Sequence, residues 1–309
     1  MIARVVTGCR LALVLLAAVP LAAGCAHQGR RFDPAARRTC LVLSVAGPAG
    51  VAHIGAIAAI KEARLPIDCV VGNSMGALIG GLHVTAPGQD LDARFRGFVS
   101  AYGEATKAEA MRNGLGLGII AGGVAAANGG GKAGAAAAFV AGAALGVAAT
   151  EKLEHDRMVR VLGDFVHGAV IESLPIRYVT FYQEGTATGV VAHKADRGPL
   201  AAAVGGSVAN PLIFSTLAFG PGRPIDPGAD RVSATPVQDA CAAFPDANLL
   251  AINASGQSIF TDANMMCPVL EVRVDPGPVS AVEVMQLGDG YRRVVASGYA
   301  ATRAALRRL

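Results

Sequence analysis

Tryptophan is absent from this chain of 309 residues, and 5 Tyr with 10 Phe leave few flat rings on which a base or a sugar could stack. Charge is scarce too: charged residues make up 16%, and 27 Lys plus Arg against 23 Asp plus Glu give a formal charge of only +4. Two of the cations, Arg4 and Arg10, lie in an acid-free stretch at residues 1–24. What remains makes no basic stripe, so nucleic acid is not an expected partner. The cysteines form neither a C-x-x-C pair nor a Cys/His cluster, which removes zinc-finger and thioredoxin-like chemistry. There is no EF-hand or H-E-x-x-H pattern, and Gly47, Gly50 and Gly55 do not fit G-x-G-x-x-G. No metal or other cofactor is expected. Histidine also stops early, with none after His193.

Hydrophobic residues supply 52% of the chain and the mean hydropathy is +0.45, enough to bury a large core and leave apolar surface over. Residues 1–24 have a secretory leader layout: cationic Arg4 and Arg10, an apolar run from Leu11 to Val19, then small residues Ala22, Ala23 and Gly24. Cys25 follows directly, and the junction resembles a bacterial lipoprotein lipobox, with Ala22 where that pattern usually has Leu. The resemblance implies a lipidated Cys25 and a place at the bacterial cell envelope, most simply the outer membrane facing the periplasm. The basic residues up to Arg38 read as a tether, so the domain proper is expected at 39–309. Four cysteines remain for it, Cys40, Cys69, Cys241 and Cys267. Buried free thiols are the plain expectation, with one disulfide possible and three pairings open for all four.

Within the domain, Cys40 to Ala46 is a short apolar run bounded by Gly47-Pro48, as a buried strand would be. A helix is expected over Val51 to Glu62, a strand over Ile67 to Val71 and a helix over Ala77 to Val84. That alternation predicts an α/β fold, with a mainly parallel sheet covered by helices. Residues 114–150 are nearly all Gly, Ala and aliphatic, and the expectation there is a helical insert that packs on the domain or dips into lipid. Glu151 to His167 should be an amphipathic helix. Ile176 to Tyr182 and Val190 to His193 should be strands around a turn at Gly185 to Gly189.

Gly72-Asn73-Ser74-Met75-Gly76 fits G-x-S-x-G, with a strand before it and a helix after it. In that context a sharp turn projects the serine hydroxyl above the sheet edge, and the flanking glycines let strand and helix approach. Ser74 is therefore the candidate nucleophile. An α/β-hydrolase triad would place its histidine late in the chain, where this sequence has none. His53 and His83 fall within expected helices, where packing is the simpler role. A carboxylate acting directly on serine is the alternative.

Four blocks in order resemble the patatin-like phospholipases, whose nucleophile and base are a Ser/Asp pair. They are the glycine-rich loop at Ser44 to Gly55, the nucleophile block at Gly72 to Gly81, a small-residue segment at Ala203 to Phe214, and Ile225-Asp226-Pro227-Gly228. The resemblance implies a patatin-like fold, Ser74 as nucleophile, Asp226 as general base, and an oxyanion hole from the amides of Ala46 and Gly47, helped by Met75. It implies a phospholipid or other acyl ester as substrate. The loop departs from its family, with Val45 and Ala46 at the first two glycine positions and Ala49 at the usual basic residue. A positive φ at position 45 would strain a β-branched side chain. The second reading is accordingly a catalytically weak or inactive lipoprotein of the same fold that binds lipid or a partner.

Overall fold

A computed structural model describes residues 32–35, 37–108, 154–210, 214, 221–229, 234–259, 261 and 265–309. The leader, Cys25, most of the tether, the 114–150 insert and Pro211 to Ile213 of the third block lie outside the described residues.

The chain opens with β1 (Thr39–Leu43), a 3₁₀ turn (Gly47–Val51), α1 (Ala52–Glu62), β2 (Cys69–Gly72) and α2 (Met75–Thr85). A helix at 91–108, here α3, is followed beyond the undescribed stretch by α4 (His155–Phe165). Then come β3 (Arg177–Thr186), β4 (Gly189–Ala195), α5 (Leu200–Ser207), the short β5 (Pro224–Ile225) and α6 (Val237–Ala243). The remainder is β6 (Asn248–Asn253), β7 (Val269–Arg273), α7 (Ala281–Met285) and α8 (Asp289–Leu306).

One sheet has the order β4-β3-β2-β1-β6-β7, with β5 paired to β3 off this path. The pairs from β3 across to β7 are parallel, and β4 and β5 run antiparallel to β3. This is the expected α/β architecture. The chain lays β2 and β3 on one side of β1, then crosses to lay β6 and β7 on the other. Such a change of direction opens a crevice at the carboxyl ends of the strands, where open α/β sheets bind ligands.

The period of two divides the strand residues between two cores. Leu41, Leu43, Val70, Tyr178, Leu250 and Ile252 face one way, into a core shared with α1 to α5, α7 and α8. Cys40, Val42, Cys69, Val71, Leu249 and Ala251 face the other, under α6. On this thinner face the cysteines depart from the free-thiol expectation: Cys40 pairs with Cys69 and Cys241 with Cys267. The first pair is a consequence of register, since Cys40 and Cys69 are direct partners on β1 and β2, with Cα atoms 4.5 Å apart. The β3–β4 turn is also tighter than expected, because β3 continues through Gly185 to Thr186 and β4 begins at Gly189.

Candidate active site

Ser74 stands between the end of β2 and the start of α2, with φ 53° and ψ −124°. A residue other than glycine rarely adopts that conformation, so its neighbours must hold it there. The amide of Ser74 donates to Ser207 Oγ at 2.9 Å, from the last residue of α5. Upstream, Thr180 Oγ1 donates to the carbonyl of Gly72 at 2.7 Å, and the amide of Phe181 donates to Asn73 Oδ1 at 3.2 Å. Downstream, a Cβ on Gly76 would lie 2.5 Å from the Leu43 carbonyl oxygen, so only glycine lets α2 start against the end of β1. The elbow is thus clamped from β1, β3 and α5.

Asp226 reaches this elbow from the other side. It directly follows β5, which the Gln183–Ile225 pairing fastens to β3, and its amide donates to the Ala209 carbonyl at 2.9 Å. Ser74 Oγ donates to Asp226 Oδ2 at 2.5 Å, and the amide of Gly228 donates to Oδ1 at 2.7 Å. Both side chains are buried at 5% exposure. Burial raises the Asp226 pKa above the usual carboxylate value, against the opposing pull of the hydrogen bonds from Ser74 and Gly228. A buried carboxylate with a raised pKa, bonded to a serine hydroxyl, has the geometry and the basicity to take that proton.

No imidazole contacts Ser74 among the described residues. His53 lies in α1 and puts Nε2 2.9 Å from the Ser44 carbonyl oxygen, and burial lowers its pKa to about 4. His83 lies in the last turn of α2, where burial first and Lys61 second lower its pKa to about 4.

The turn after β1 is the third component. A Cβ on Gly50 would lie 2.5 Å from Met75 Cγ, so the turn is pressed onto the residue next to Ser74. The positive φ of this loop falls on Gly47, at +50°, and Val45 keeps an ordinary φ, so the β-branched side chain is unstrained. Val45 packs on Gly228, where an added Cβ would meet both of its methyls at 3.4 Å. The amides of Ala46, Gly47 and Met75 donate to no acceptor among the described residues. Three unspent donors therefore flank the serine.

Beside them a pocket with apolar walls runs from Gly47, Pro48 and Met75 to Leu78, Phe98 and Val284. Tyr102 lines it with its ring, because its hydroxyl accepts from the Glu154 amide at 2.9 Å. An aliphatic chain fits such walls; a polar group would lose its hydrogen bonds there. Among the described residues there is no His/Cys/Asp/Glu group that could hold a metal ion.

Ser74, Asp226, Ala46, Gly47 and Met75 are thus gathered at the carboxyl edge of the parallel strands. Cys25 lies outside the described residues. Ser207 is the site residue that the motif reading missed. It sits inside the third block, but nothing in a run of small residues marks one serine as an acceptor for another serine's amide.

No family model matches the chain. Lysophospholipase nte1 of Emericella nidulans is 43% identical to it over 81 residues, which is 25% of this chain and 5% of that protein. A patatin-like phospholipase domain-containing protein of Caenorhabditis elegans is 47% identical over 47 residues, 15% of this chain and 4% of the other. The matches thus cover about one twentieth of these relatives' length. Among solved structures, VipD from Legionella pneumophila is similar with a TM-score of 0.41 and 12% identity, over 88% of this chain and 67% of that one.

Proposed function

From the chain's kinship with the patatin-like phospholipases, we propose that it is a serine lipid acyl hydrolase working through Ser74 and Asp226. The observation that carries this reading is the hydrogen bond of 2.5 Å between Ser74 Oγ and Asp226 Oδ2. Asp226 takes the hydroxyl proton as Oγ attacks the ester carbonyl. The tetrahedral oxyanion is received by the amides of Ala46 and Gly47, with Met75 as a further donor. Donors of this kind are worth about 2.7–4 kcal/mol each in the transition state. Protonated Asp226 then returns its proton to the leaving alcohol, and an acyl-serine remains. Water, deprotonated by the same carboxylate, releases the fatty acid. The acyl chain lies in the apolar pocket, which supports an aliphatic ester of the phospholipid kind.

The protein works at the bacterial cell envelope: residues 1–24 direct export, Cys25 carries the lipid anchor, the tether ends at Arg38 and residues 39–309 form the catalytic domain. Two disulfides support an oxidising destination. The 114–150 insert, rich in Gly and Ala, would meet the lipid surface. Incubation of the mature protein with phospholipid vesicles should release fatty acid, and Ser74→Ala should abolish release. Intact vesicle binding with no turnover of phospholipid or of a short acyl ester would instead favour the non-catalytic lipoprotein. Profiling the products identifies the head group and the ester position.

A further inference from the structure

His53 is fully buried, yet the chemistry above does not use it. Its Nε2 is 2.9 Å from the Ser44 carbonyl oxygen, and because a carbonyl only accepts, Nε2 must carry the proton. Nδ1 is then a bare acceptor, and it has no partner among the described residues. An unsatisfied buried nitrogen is destabilising, so an apolar residue there would relieve a penalty. The one bond that imidazole gains in exchange falls on a particular carbonyl.

Ser44 is the junction between β1 and the turn that holds the free amides. Its own amide donates to Ile252 at 3.2 Å, and its Oγ accepts from the Ala254 amide at 2.9 Å. The next amide, that of Val45, donates to the Ala234 carbonyl at 2.8 Å. The Ser44 carbonyl oxygen would lie 2.7 Å from a Cβ on Gly76, so it is wedged against the helix that begins beside Ser74. The peptide leaving Ser44 is therefore held at its carbonyl by His53 and Gly76, and at its amide by Ala234. The two peptides after it present the amides of Ala46 and Gly47.

We propose that His53 is a positioning residue for the oxyanion turn, its Nε2–H fixing the Ser44 carbonyl and through it the orientation of the Ala46 and Gly47 amides relative to Ser74. The inference rests on the acyl-hydrolase reading. An apolar replacement keeps the packing volume and removes the donor. A glutamine places an amide N–H close to where Nε2–H stands.

Turnover of a water-soluble short acyl ester is measured for wild type, His53→Leu, His53→Met and His53→Gln. Each rate is divided by the serine sites titrated to completion with a phosphonate, which counts only folded, competent molecules. Leu and Met should lower kcat per titrated site at least tenfold with KM within about twofold. Gln should restore kcat to within a few-fold of wild type. A kcat per site unchanged in the Leu or Met variant overturns the proposal, and so does a Gln variant no better than Met. If Leu fails to fold, the Met and Gln pair decides the same question. A wild type that neither turns over ester nor labels at Ser74 overturns the hydrolase reading itself, and this inference with it.

Discussion

A carboxylate that must work as a base is kept in a place where its charge is costly. Burial raises the Asp226 pKa, so the folded state binds its proton more tightly than the unfolded chain does. Ionised Asp226 therefore subtracts stability above its folded pKa, and the penalty vanishes below its unfolded value of about 4. Asp226→Asn removes that charge and keeps partners for both neighbours, its carbonyl accepting from Gly228 and its amide donating to Ser74 Oγ. The variant should melt above wild type at pH 7 to 8, with the gap closing as pH falls toward 4, as thermal denaturation across pH would register. A lower melting temperature at pH 7 would count against the raised pKa. In wild type, the rate should fall on the acid side with an apparent pKa above the usual carboxylate range, because protonated Asp226 cannot accept. Ser207→Ala tests the other support. It strips the acceptor from a buried amide at a strained residue, and should cost about 1–3 kcal/mol of stability along with part of the rate. Ser74 is legible in sequence because the strand, the G-x-S-x-G turn and the helix are all local. Asp226 lies 152 positions away and was reachable only through the family resemblance. Ser207 lies 133 positions from its partner and has no local signature at all.

At the scale of elements, glycine decides how closely the layers approach. The α1–α8 crossing is made by Gly55 and Gly298: a Cβ on Gly55 would sit 1.9 Å from the Val295 carbonyl oxygen, and one on Gly298 would sit 1.9 Å from that of Ala52. Neither contact can be relieved by a side-chain rotation. Gly298→Ala should thus cost about 3 kcal/mol, the upper end for overpacking, and denaturant midpoints would measure it. No loss of stability would mean that the helices sit further apart. Because α1 carries His53, the same variant should also lower kcat for a soluble ester. The alternation of strand and helix from β1 to α2 is readable in the chain, since each segment has its own period and its own Gly or Pro boundary. Beyond it the reading thins for physical reasons. In β7 the polar Glu271 and Arg273 break the apolar run, and its place is set by pairing with β6. The two residues of β5 carry no period and are strand only because β3 pairs with them. By contrast α3 has Leu91, Phe95, Phe98, Val99 and Tyr102 at helical spacing, a signal present in the chain although no motif block covers it.

For the whole molecule, the two faces of the sheet are unequal. Among the described residues, α1 to α5, α7 and α8 all feed the core on one face, and on the other α6 packs over the core that contains all four paired cysteines. The bridges span 29 and 26 positions, and chain entropy assigns each about 3–4 kcal/mol. Denaturing alkylation of the oxidised protein should find none of these four thiols free, and prior reduction should free all four and lower the melting temperature. An unchanged melting temperature after complete reduction would show that the thin face holds without them. The pairing was hidden from the sequence because a buried free thiol and a half-cystine share the same apolar surroundings, and only the β1–β2 register makes Cys40 and Cys69 neighbours. The crevice at the strand ends, by contrast, follows from the strand order on either side of β1, and it is where Ser74, Asp226 and the turn after β1 meet.

The direct contact between serine and carboxylate is tested most sharply by the rate at which a fluorophosphonate labels the protein, with the modified peptide mapped by mass spectrometry. Wild type should label on Ser74, and Asp226→Asn should label at least 100-fold more slowly, within the range of roughly 10²–10⁴ for loss of a positioned base. Labelling of Asp226→Asn at the wild-type rate, or an adduct on any residue other than Ser74, would contradict a Ser-Asp mechanism.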